Sequence, residues 1–92
     1  MPFDHKNYVV SWSPYVNGII EPDEGQSQDD SVREVLEYHA EKVVDKGASE
    51  KTAYVLGRFL WKDNPVELCA VIDPVERTIF FGTEAEARGR LD

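Results

Sequence analysis

The chain has 92 residues, with 18 Asp and Glu against 10 Lys and Arg, a net charge of −8 and a pI near 4.6. One domain is expected, because two separate cores would each fall below the size that folds unaided. The acidic excess argues against direct grip on a nucleic-acid backbone, and a hydrophobic share of 41% argues against wholesale disorder.

From the N-terminus, Tyr8, Val10 and Trp12 alternate with Asn7, Val9 and Ser11, the period of a strand. Pro14 then removes a backbone donor, which bends that strand or marks it as a sheet edge. Asn17-Gly18 lies between Tyr15-Val16 and Ile19-Ile20, and both residues tolerate positive φ, so a first hairpin is predicted over 7–21. Residues 21–30 are polar, contain Pro22 and Gly25, and read as a loop.

Ser31 and Glu34 have the spacing of a capping box, which predicts a helix start. Val32, Val35, Leu36, His39, Ala40, Val43 and Val44 then recur every three or four residues on one stripe, and Gly47 is placed to end the helix. The segment 52–62 fits either a helix or a strand; its β-branched and aromatic content, with Gly57 in the middle, favours the strand. Apolar runs at 66–72 and 78–81 follow, separated by turn-forming residues, and complete an antiparallel meander. Thr83 and Glu86 form a second capping box, opening a short C-terminal helix.

The expected order is β-β-α-β-β-β-α. This is an α+β domain, with an antiparallel sheet of about five strands, one long helix on one face and a short C-terminal helix. Tyr54, Leu56, Leu60, Val66, Leu68, Ala70, Ile72, Ile79 and Phe81 would supply the sheet side of the core.

A single Cys removes the disulfide framework common in small secreted domains, and the first residues lack an apolar signal core. A cytoplasmic location follows as the expectation. No apolar run approaches membrane-spanning length, and no basic amphipathic helix suggests a lipid surface. The glycines form neither a P-loop nor a dinucleotide fingerprint, and no Gly-x-Ser-x-Gly occurs. Cys69 sits in a predicted strand and reads as an inert, buried hydrophobe. His39 falls on the apolar stripe, where a partly buried imidazole with one partner is the plain reading. The catalytic alternative makes it a general base served by a sheet carboxylate such as Glu67.

His5 reads as solvated near the terminus. Two distant His and one Cys offer no metal spacing. Residues 23–34 match a calcium loop in length, but Gly25 and Gln28 occupy places that need a ligand and a glycine, respectively. No metal and no cofactor are therefore expected.

Charge is the informative pattern. Lys and Arg are absent between Lys6 and Arg33, whereas Glu21, Asp23, Glu24, Asp29 and Asp30 crowd the predicted loop. On the helix, Glu34, Glu37, Glu41 and Asp45 share the face opposite the apolar stripe, one per turn, about 5.4 Å apart. Solubility alone would explain such a face. The functional reading is a surface that docks on a basic protein surface, with carboxylates spaced like phosphates. Trp12 and Trp61 read first as core or core margin; if exposed, both are candidate interface anchors.

A non-enzymatic binding or regulatory module is thus expected, in its sharpest form an inhibitor or immunity-type protein of a nucleic-acid-binding partner. The alternatives are a small homodimer joined through a sheet edge, or a small enzyme using His39.

Overall fold

The computed structural model describes residues 7–19, 28–61 and 63–91, with side chains at 19, 28, 29 and 59–61 outside that description. Seven elements run in order: β1 (Val9–Trp12), α1 (Pro14–Ile19), α2 (Gln28–Asp45), β2 (Thr52–Trp61), β3 (Asn64–Asp73), β4 (Thr78–Thr83) and α3 (Glu84–Leu91). The sheet has four strands in the order β1-β4-β3-β2. β2, β3 and β4 form the antiparallel meander, and β1 joins β4 in parallel from Val9↔Thr78 to Trp12↔Phe81. The architecture is α+β, with a mixed sheet and three helices in place of the five antiparallel strands expected.

The difference begins at Asn17-Gly18. The predicted hairpin over 7–21 does not form, because Pro14 opens a helix rather than bending a strand. Its fixed φ suits the first helical position, where its missing N–H leaves no bond unmade. The Val16 N–H reaches back to the Ser13 carbonyl at 3.1 Å, and the Val16 side chain enters the core fully buried. Asn17, instead of shaping a turn, accepts the Trp12 indole N–H through Oδ1 at 3.0 Å. Freed from a hairpin partner, β1 pairs with β4, and the Ser13 N–H extends that ladder to the Phe81 carbonyl at 3.0 Å. The Pro14 signal for an edge position does hold, since β1 ends the sheet.

Helix α2 starts at Gln28, before the predicted capping box, so Ser31 lies inside the helix on its buried side, 3% exposed. The earlier start puts Asp29 and Asp30 in the first turn, where negative charge offsets the helix dipole. The other end follows expectation. Gly47 takes φ +73°, and its N–H donates to the Val44 carbonyl at 3.0 Å. An added Cβ there would meet no neighbour, so the backbone angle alone makes glycine the suitable residue.

In the meander, β2 carries a bulge. Val55 opposes Cys69 and Gly57 opposes Leu68, which leaves Leu56 without a partner residue. Asp63 and Arg77 adopt positive φ in the two connecting turns, and the Asp73 carboxylate accepts the N–H groups of Val75 and Glu76 at 3.0 and 3.1 Å. α3 is capped as predicted: the Thr83 N–H donates to Glu86 Oε1 at 2.9 Å, and the Glu86 N–H donates to Thr83 Oγ1 at 3.4 Å.

Alternation along the strands divides the interior in two. Leu68, Ala70, Ile72, Ile79 and Phe81 face α2 and close on Val32, Leu36, Ala40, Val43 and Val44, with Val16 of α1 beside them. Tyr54, Leu56 and Val66 pack at the margin of this core as expected, and Leu60 lies outside the described side chains. Each fully buried aliphatic or Phe side chain contributes about 1.5–3 kcal/mol. The opposite face holds a smaller cluster of Cys69, Val71 and Ala87, flanked by Ala53. Among the described residues, no helix is long and apolar enough to cross a membrane.

Candidate functional site

The apolar stripe of α2 turns its other side to solvent. Glu34, Glu41 and Asp45 are exposed, Glu37 is half-buried, and exposed Asp30 extends the row towards the N-terminus. A shallow depression of about 330 Å³, lined by Asp30, Arg33, Glu34 and Glu37, marks its upper end. Asp29 belongs to the first turn by its backbone, its side chain lying outside the described residues. Glu21, Asp23 and Glu24 lie outside the described residues altogether, as does the Trp61 side chain at the end of β2.

The cations of α2, together with Lys46 just past its end, adopt a pattern that sequence reasoning missed. Arg33 lies 5.0 Å from the centroid of the Trp12 ring, Lys42 lies 4.9 Å from that of Tyr38, and Lys46 lies 5.2 Å from that of Tyr54. Each is drawn to an aromatic face by the ring quadrupole. Only the Tyr38–Lys42 contact had a local signal, the i,i+4 spacing. Trp12 and Tyr54 come from strands remote in sequence. Trp12 itself is half-buried against the core, with its indole N–H held by Asn17 and a ring face under Arg33, so it stands at the rim of the acidic face.

His39 and Glu67 are on different sides of the sheet. Val66 and Leu68, the neighbours of Glu67, pack towards α2, so Glu67 projects to the far face, where it pairs with Arg58 at 3.6 Å. The catalytic pair considered for His39 does not assemble. The His39 ring is half-buried, set edge-on to Tyr38 with centroids 5.5 Å apart. Burial, aided by the Lys42 charge, lowers its pKa below the ordinary 6.5. Cys69 is 3% exposed, and burial with the Glu84 and Glu67 charges raises its thiol pKa against a smaller opposing effect of Arg88. It lacks the thiolate character that a nucleophile needs.

A second polar cluster joins β1, β4 and α3. Glu86 Oε1 accepts from Ser13 Oγ at 2.8 Å, the Thr83 N–H at 2.9 Å and Thr83 Oγ1 at 3.2 Å. Partial burial pushes the Glu86 carboxyl up. The Thr83 and Ser13 hydrogen bonds and the Arg90 charge outweigh that effect and hold it below its ordinary value. A carboxylate so well satisfied is a poor base, which makes this a structural clasp rather than a Ser-Glu catalytic pair. Gly82 is part of the clasp, since a Cβ there would come within 2.9 Å of Glu86 Oε1 and 2.8 Å of Phe80 Cε2. Among the described residues, no group of three or more His, Cys, Asp or Glu is placed to hold a metal ion.

Compared with protein-family models, curated proteins and solved structures, the chain matches none.

Proposed function

We propose that the protein is a non-enzymatic binding module. Its acidic α2 face, together with the acids of segment 21–30, docks on a basic protein surface. The observation that carries this reading is the row Asp30, Glu34, Glu37, Glu41 and Asp45 on an 18-residue helix whose two cations, Arg33 and Lys42, lie against aromatic rings, as does Lys46 just past its end. Carboxylates one turn apart, about 5.4 Å, suit a surface that otherwise holds phosphates. An inhibitor or immunity-type role towards a nucleic-acid-binding protein is the specific form of the proposal. Association would be electrostatically steered and would weaken with salt.

The test is capture from lysate at low and high salt, read by mass spectrometry, with the wild type beside Glu37→Lys plus Glu41→Lys. Basic proteins retained at low salt, released at high salt or by added nucleic acid, and lost in the double variant are the expected result. A capture profile indifferent to both salt and charge reversal would overturn the proposal.

A further inference from the structure

The two edges of the sheet are unequally protected. β1 is four residues long and is stopped by Pro14, two features that discourage strand addition. β2 is ten residues long and uses one side for β3; among the described residues, no backbone hydrogen bond reaches its other side. Among the described residues, the bulge at Leu56 and the charge of Arg58 guard it, and α1 and α3 also approach β2.

Segment 51–62 contains Lys51, Arg58 and Lys62 and no Asp or Glu, in a chain whose net charge is −8. Val55, near its middle, is 63% exposed. Arg58 pairs with Glu67 at 3.6 Å, yet its side chain remains 69% exposed and its five-donor fork leaves further donors for a carboxylate. Lys51 donates to the Arg90 carbonyl at 2.9 Å and lines a depression with Val71, Asp73 and Phe80, which places it on the α3 side of the sheet. Ala53, Val55 and Arg58 pair with Val71, Cys69 and Glu67 and share that side, whereas Tyr54 and Leu56 pack towards α2.

An added strand would therefore meet Lys51 and Arg58, with Ala53 and Val55 between them, along one of its faces, and Tyr54 and Leu56 along the other. We propose that the outer edge of β2 receives an extended peptide strand in which acidic and apolar residues alternate. Main-chain bonds would supply affinity, and the Lys51 and Arg58 side would select the acids. A second copy of this chain fits less well, because antiparallel self-pairing about Val55 sets one cationic strand against another.

The test uses fluorescence anisotropy of a labelled, capped octapeptide alternating Glu and Val, with a Lys-Val peptide as control and the full chain as receptor. Saturable binding at least tenfold tighter for the Glu-Val peptide is expected, with new exchange protection of β2 amides by NMR. Arg58→Glu should weaken it at least tenfold. Val55→Asp provides an independent check should that variant unfold. Glu37→Lys plus Glu41→Lys on α2 should not weaken it, which separates this edge from the α2 face. Equal binding of the two peptides, an unchanged affinity in both edge variants, or a dimeric mass with the β2 amides already protected would overturn the proposal.

Discussion

The two faces of the sheet are built from the same alternating strands and end differently. One is covered by the 18 residues of α2 and holds a core in which Leu36, Leu68, Ile79 and Phe81 are fully buried. The other is covered by the eight residues of α3, which buries only Ala87 of its own side chains. There the cover is held by polar ties: the Glu86 clasp at one end and the Lys51 bond to the Arg90 carbonyl at the other. Arg90 also lies 3.9 Å from the Phe80 ring centroid, so a cation forms part of the cover over that aromatic. Alternation supplies two apolar faces, and helix length decides which becomes a deep core.

The sharpest way to break this contrast is Leu36→Ala, expected to cost about 2–5 kcal/mol through transfer and cavity effects. Denaturant unfolding measures it, and a loss below about 1 kcal/mol would show that the α2 side is not the main core. Gly82→Ala should cost about 1–3 kcal/mol, because the new methyl meets Phe80 and Glu86 at once. Its damage should centre on α3, visible as faster amide exchange there than in β3.

Glu86→Gln tests the clasp through pH. The folded carboxyl lies below its ordinary 4.5, so its contribution is present above that value and is lost as pH falls through the folded pKa. Wild-type stability should therefore drop in acid more steeply than that of the Gln variant, as thermal melts from pH 7 to pH 3 would show. The smallest effect belongs to Glu41→Lys. It replaces like-charge contacts to Glu37 and Asp45 with opposite ones and should raise stability by a few tenths of a kcal/mol, while weakening the docking proposed for that face. A variant more stable yet less able to bind would separate solubility from function.

What the sequence foretold follows from how local each signal is. The meander, the α2 stripe, the Gly47 stop and the Thr83–Glu86 cap rest on contacts within a few residues, and each formed as read. Asn17-Gly18 was also a local signal, but it lost to two non-local gains: burial of Val16 and pairing of β1 with β4. Ser31 lost its cap role because the helix extends back to Gln28. The acid row on α2 was legible from the 3.6-residue period alone. The aromatic seats of Arg33 and Lys46 were not, since their partners Trp12 and Tyr54 reach α2 only through the fold. Likewise, the period of two that places Glu67 beyond reach of His39 became decisive only once the face met by α2 was known.

The parallel pairing of β1 with β4 has a kinetic consequence. Val9 and Thr78 are nearly 70 positions apart, whereas the turn between Asp73 and Thr78 closes five. By loop-closure entropy alone, joining the first pair is about 2 kcal/mol harder than joining the second. Substitutions in the β3–β4 hairpin should therefore slow refolding, while substitutions in β1 should mainly quicken unfolding. The N-terminal strand would then be the last piece to arrive and the first to leave, and Ser13, which bonds to Glu86 across that seam, its final latch.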